Sequence, residues 1–348
     1  QTLAANNNIR PTIAKFILKP VRHNVADDEY STSWLIHRFT SQSLLTLLPY
    51  ILTTTTMTWI FFTFLAAFMQ AWRNALQSKL SNDVSVAGVT LSRFIIAGPI
   101  AAVYLYGLYQ YQDTAMPTFN NAFWGFIVGA SVMQILATGL MVKLFKMNNY
   151  AVGAGLAKSE ALVAAILGVL FFGSALSLLG WLGVFFGAIA VLLLSGITSV
   201  KHFNAKTALL GLACGTCFAL TSLWVREASL NSGLLFPHSA AWVLLFVISL
   251  QTLILLGYLL LKEPQTLSKL WQYKGTTAAI SVFSCVGSIG WFSAMSLQHV
   301  AYVKTLGQVE VFFTMLIAVL WLKQPLKKQD TAGLILIAIA AVLVMLPN

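Results

Sequence analysis

Glu160 and Glu310 are the side chains best placed to do chemistry, because both are carboxylates inside long apolar runs of a chain with only ten acidic residues. They stand 150 residues apart. A gapless shift of that size also lays Gly183 on Gly333, Ala151 on Ala301, Leu156 on Leu306 and Ala190 on Ala340. Alanine and leucine coincidences are cheap in so apolar a sequence, whereas a matched pair of acids is not. A carboxylate within an apolar span is costly unless it is paired or hydrated, so it normally faces a bundle interior or a cavity. Two readings follow. The pair binds a proton or cation in step with substrate occupancy, or it is structural, each carboxylate capped by a neighbouring helix.

Lys158, Lys304 and Arg93 are the cations closest to such positions. They suit a substrate carboxylate or phosphate. Lys158 is two residues from Glu160, so the two point in widely different directions on a helix. Lys304 lies six residues before Glu310, nearer the membrane edge, where its long stem can snorkel. Arg93 has two readings, a structural pair with a facing glutamate or a ligand contact. Gln134, Gln308, Asn74, Trp224, Trp291 and Tyr302 are candidate cavity residues, and Gln308 aligns with Lys158 under the repeat shift. Cys214 and Cys217 form a C-x-x-C, but they sit in an apolar run without nearby acids or histidines and read as small packing residues. His202, His238 and His299 lack metal-ligand spacing, so neither a metal nor a cofactor is expected.

These residues must be held by membrane helices. Of the 348 residues, 58% are hydrophobic and 9% charged, against about 25% charged in a soluble domain. The net charge of +11 falls largely in short gaps between apolar runs, which is a topology signal rather than a nucleic-acid footprint. Spans of roughly 20 residues are expected at 57–76, 86–109, 121–142, 150–172, 177–197, 207–226, 239–261, 275–296, 301–322 and 328–346. Lysines crowd alternate gaps: Lys79, Lys143, Lys146, Lys201, Lys206, Lys262, Lys269, Lys274, Lys323, Lys327 and Lys328 against Arg226 alone on the other side. The lysine side is therefore cytoplasmic. Residues 1–56 lack a long apolar run, and Met57 opens the first span. The segment 1–56 is expected to be an extension that is disordered or absent from the mature protein.

Five spans per half invert the second half relative to the first. The expected fold is an all-α membrane protein of ten transmembrane helices in two inverted five-helix repeats, 57–197 and 207–348. Inverted repeats recur in secondary transporters, with the site near the midplane between halves.

Over 57–348 the chain resembles the drug/metabolite transporter superfamily, in particular the EamA-type ten-span carriers. The resemblance rests on Phe313 to Leu343, an apolar helix followed by the break Lys323-Gln324-Pro325-Leu326 and a last span opened by Gln329 and Gly333. Leu91-Ser92-Arg93-Phe94 looks like the family's second span. Ser174 and Gln324 stand where the family usually has glutamate. The resemblance implies export or exchange of small metabolites, such as amino acids or drugs, without ATP hydrolysis. It also implies a bacterial inner (plasma) membrane location. The expected partners are a small-molecule substrate, the lipid bilayer and protons, with no nucleic acid, and the chain is expected to work as a monomer. A membrane enzyme or a channel is the alternative, but the sequence holds no P-loop, H-E-x-x-H or dinucleotide fingerprint.

Overall fold

The computed structural model of the chain describes residues 57–112, 114–147, 159–194, 205–320 and 328–345. The expected N-terminal extension and Lys158 lie outside the described residues. Those described are helical, with no strand among them. In chain order the helices are α1 (57–80), α2 (Val86–Ser92), α3 (Ala97–Tyr111), α4 (Asn121–Met147), α5 (Glu160–Phe171), α6 (Leu178–Leu194) and α7 (Ala205–Leu230). The remainder are α8 (His238–Lys262), α9 (Pro264–Gln272), α10 (Lys274–Leu297), α11 (Val300–Leu306), a 3-10 turn (Gly307–Val309), α12 (Glu310–Leu320) and α13 (Lys328–Met345).

Six stretches are long and apolar enough to cross a membrane: Val86–Tyr111, Asn121–Lys146, Leu209–Leu230, His238–Lys262, Lys274–Leu297 and Val300–Ile317. Glu160–Phe171, Leu178–Ala190 and Ile335–Val344 are apolar but shorter. Helix α1, expected as the first span, is not among either set. Its inward face carries Thr63, Arg73, Asn74 and Gln77, all buried, and these lower its apolar content.

Burial is reversed relative to a soluble protein. Large apolar side chains face outward, among them Phe61, Val103, Leu170, Phe171, Leu253 and Leu261. Arg73, Arg93, Gln251, Gln308, Glu160 and Glu310 are buried. Lipid accepts the first group without cost, and only a protein interior can satisfy the second.

Helix α4 packs along α7, α6 along α13, α8 against α3, and α11 against α5. Helix α10 packs against α1. A Cβ on Gly290 would lie 2.7 Å from the Phe62 carbonyl oxygen and 3.1 Å from the Ala66 nitrogen, so here the two backbones meet directly. Small residues permit such approach in lipid. Gly290→Val is expected to cost about 1–3 kcal/mol by overpacking, read as a lower melting temperature of the detergent-purified protein. An unchanged melting temperature would mean that α1 and α10 do not touch at this point. Gly129 lies against Trp224 and Gly183 against Val344 and the Ala340 carbonyl, whereas Gly125 faces open space.

The span Val86–Tyr111 is broken at residues 93–96. Pro99 supplies the reason: it has no N–H to return to Ile95, and its ring crowds that carbonyl. Residues from the second half of the chain bond the backbone at the break. The Ile96 N–H donates to Ser281 Oγ at 2.9 Å, and Thr252 Oγ1 donates to the Phe94 carbonyl at 3.2 Å.

Candidate functional site

Both glutamates open helices. Glu160 is the first residue of α5, after Ser159. Glu310 is the first of α12, after the 3-10 turn. The turn can form because Gly307 lies against the Trp291 indole, where a Cβ would collide with the ring. Glu160 therefore stands at the positive end of a helix dipole, whereas the Glu310 N–H is bonded to the Gly307 and Gln308 carbonyls of the turn.

Glu160 Oε1 pairs with Lys304 Nζ at 2.7 Å, and the two side chains are each 11% exposed. Ser222 Oγ on α7 donates to the same oxygen at 3.1 Å. Lys304 Nζ also sits 4.3 Å from the centroid of the Trp291 ring, a cation–π contact. Trp291 Nε1 donates to Gln70 Oε1 at 2.9 Å. Gln70 Nε2 in turn donates to Glu310 Oε2. Asn74 Nδ2 donates to the other oxygen, Oε1, at 2.7 Å. Arg73 Nη2 donates to Asn74 Oδ1 at 2.8 Å. The chain Glu160–Lys304–Trp291–Gln70–Glu310 is thus continuous. It joins α5, α11, α10, α1 and α12.

The repeat shift does not carry the partners over residue by residue: adding 150 to Gln70 and Asn74 on α1 gives Leu220 and Trp224 on α7, and Ser222 matches Trp72. Each glutamate is held by the helix that opens the other half of the chain.

Of the residues expected at the site, Glu160, Lys304, Trp291 and Glu310 come together, with Asn74 beside them. Lys304 corrects the sequence reading. It turns inward to Glu160 rather than snorkelling, because a buried carboxylate and an indole face compensate its charge. Arg93 sits in the break of the second span, 2% exposed, and donates from Nη1 to Thr138 Oγ1 at 2.9 Å. It lies within electrostatic reach of Arg73, Glu160 and Glu310. Gln134 accepts from Gln251 Nε2 at 2.7 Å. Gln308 is buried against Gly187 with neither side-chain polar atom bonded. Trp224 packs on Gly129, and the Tyr302 hydroxyl accepts from the Ser177 N–H at 3.1 Å. Cys214 donates to the Ala137 carbonyl between α7 and α4, as a packing residue would.

The sequence reading missed Gln70, Arg73, Ser222, Thr138 and Gln251. Gln70, Asn74 and Gln77 recur at helical spacing within an apolar run, and that polar stripe was the available signal. Among the described residues no group of His, Cys, Asp or Glu is arranged to hold a metal.

A solved crystal structure superposes on this fold with a TM-score of 0.63, covering 84% of this chain and 98% of the other at 16% identity. At that identity the likeness concerns the fold. No curated protein matches the chain in sequence. Residues 205–346, running from α7 to the end of α13, match the EamA-like transporter family, whose members are transporters rather than enzymes. The chain is an integral membrane protein, a bundle of apolar helices with a polar interior, and its residues 205–346 are similar to the EamA-like transporter family, part of the drug/metabolite transporter superfamily.

Proposed function

We propose that the protein is a secondary transporter of small metabolites, an exporter or exchanger working by alternating access in a bacterial plasma membrane. Protons couple through Glu160 and Glu310. The observation that carries this reading is the continuous buried network joining the two glutamates across both halves. A proton arriving on Glu160 cancels its attraction to Lys304, and the bridge then has no electrostatic reason to persist. Because Lys304 also rests on Trp291, which bonds Gln70, a change at one glutamate reaches the other through three side chains.

The proposed architecture is ten spans in two inverted five-helix repeats, acting as a monomer. The helix pairings support it. Numbered as spans, α4 with α7 is three with six, and α10 with α1 is eight with one. The pairs α5–α11, α6–α13 and α3–α8 are four with nine, five with ten and two with seven. Exchanging the halves turns this set of pairs into itself, as a two-fold axis between repeats requires.

Proteoliposomes test the function. Saturable counterflow of a labelled solute, accelerated by a pH gradient, is expected for the wild type. Glu160→Gln and Glu310→Gln should each lose the acceleration by tenfold or more. Wild-type acceleration in both variants removes the coupling claim. Conductance without saturation would indicate a channel, and product formation an enzyme.

A further inference from the structure

We infer that the solute carries an anionic group, a carboxylate or phosphate, and that Arg93 is its anchor; this rests on the transporter reading and names its substrate class. The argument begins with a charge count. Among the described residues the buried charged side chains are Arg73, Arg93, Glu160 and Glu310, with Lys304 nearly so. Three cations face two carboxylates. Glu160 is taken by Lys304. Glu310 is taken by Gln70 and Asn74, and Asn74 in turn holds Arg73. Arg93 is left with neutral partners, the Thr138 hydroxyl and the Phe94 ring.

Its guanidinium is also incompletely used. Nη1 is engaged with Thr138, while Nε is buried with no hydrogen-bond partner. A guanidinium binds carboxylate or phosphate through paired N–H groups in a planar fork. An arginine held in a membrane interior with no carboxylate bonded to it is costly, and an anion arriving with the solute lowers that cost. The backbone supports such a role. Arg93 sits in the break 93–96, where the helix tightens into a hydrogen-bonded turn, and discontinuous helices in transporters lie at the substrate site.

A neighbouring group points to a second feature of the solute. Thr138 lies one turn from Gln134 on α4, so both share one face. Gln134 accepts from Gln251, whose own Oε1 is fully buried and has no donor. An orphan donor at Arg93 and an orphan acceptor at Gln251 therefore flank one helical stripe. A solute that presents an anion to the first and a hydroxyl or N–H to the second satisfies both.

The test uses the purified full chain in detergent. Its melting temperature is followed against succinate, malate and inorganic phosphate, with the neutral amide succinamide as comparator. A ligand that binds only the folded state raises stability with the logarithm of its concentration. At least one anion is expected to give a saturable upward shift that succinamide does not give. Arg93→Gln should weaken the effective anion tenfold or more, while Arg93→Lys, which keeps the charge but loses the fork, retains part of it. Where Arg93→Gln fails to fold, Arg93→Lys and Thr138→Val decide, each expected to weaken the anion at least threefold. Equal protection by succinamide, no protection by any anion, or undiminished anion binding in the Arg93 variants overturns the inference. Proteoliposome counterflow separates it from the function. Counterflow of a neutral or cationic solute at wild-type rate in Arg93→Gln overturns the anion assignment and leaves transport standing, whereas absence of counterflow for every solute overturns transport itself.

Discussion

Lys304→Met is expected to be among the most destabilising single changes in the protein, and Glu160→Gln introduced beside it is expected to restore most of the loss. Lys304 is the ion-pair partner of Glu160 at 2.7 Å, and removing it leaves a buried carboxylate with the Ser222 hydroxyl and a helix N-terminus. Breaking one side of a buried pair costs about 3–5 kcal/mol, chiefly because the remaining charge is stranded. The helix dipole returns about 1 kcal/mol of that, too little to change the outcome. Met fills the volume of the lysine stem against Trp291, so lost packing contributes little. Glu160→Gln then removes the stranded charge and keeps an oxygen for Ser222. A cycle of the two single variants and the double, read by thermal unfolding in detergent, should therefore show strong coupling. Additive losses would show that the bridge is not holding the fold. The same double variant should have no pH-dependent transport, since the proton site is gone while the scaffold remains.

The sequence revealed the framework more completely than the wiring. Long apolar runs separated by Pro, Asn and Gly punctuation made the helices legible, since crossing lipid imposes a length and a composition that little else imitates. The glutamate pair was legible for a similar reason: with so few acids, a match at a constant shift stands out. Pro99 was in view, yet the break it forces at 93–96 was not read, because membrane spans tolerate an interior proline when neighbouring helices satisfy the freed groups. The polar face of α1 hid for the opposite reason. Gln70, Arg73, Asn74 and Gln77 fall within a run that scores as apolar around them.

The partners of the charged groups were not legible at all. Lys304 lies six residues from Glu310 in the chain and bonds a glutamate 144 residues away. Arg93 had two readings, a facing glutamate or a ligand contact, and neither pointed to Thr138, which it bonds. Which cation reaches which anion depends on the relative rotation and depth of helices, and their apolar periodicity is weak when lipid surrounds the bundle. Sequence spacing constrains neighbours on one helix and says little across helices.

Glu310→Gln should damage the fold more than an isosteric exchange ordinarily does, and the direction of each hydrogen bond explains why. Both Glu310 oxygens accept, one from Gln70 Nε2 and one from Asn74 Nδ2. An amide at this position offers one acceptor and one NH2, so one of the two donors must face another donor. Neither neighbour can turn over to help. Gln70 Oε1 accepts from Trp291, and Asn74 Oδ1 accepts from Arg73, so a flip exchanges one clash for another. A buried donor left without an acceptor costs about 1–3 kcal/mol, and a correspondingly lower melting temperature is expected. Adding Gln70→Glu reverses the polarity of the frustrated bond. The introduced carboxylate then accepts from Trp291 with one oxygen and from the introduced amide with the other, while Asn74 keeps its acceptor. Stability should return toward wild type in the pair Gln70→Glu with Glu310→Gln, although each single change lowers it. If the double variant melts no higher than Glu310→Gln alone, the bond directions assigned here are wrong. If it does recover, its transport separates two roles of Glu310. Recovery of pH-driven counterflow means that the network needs a carboxylate anywhere along it, and continued loss means that the charge must stand at the N-terminus of α12.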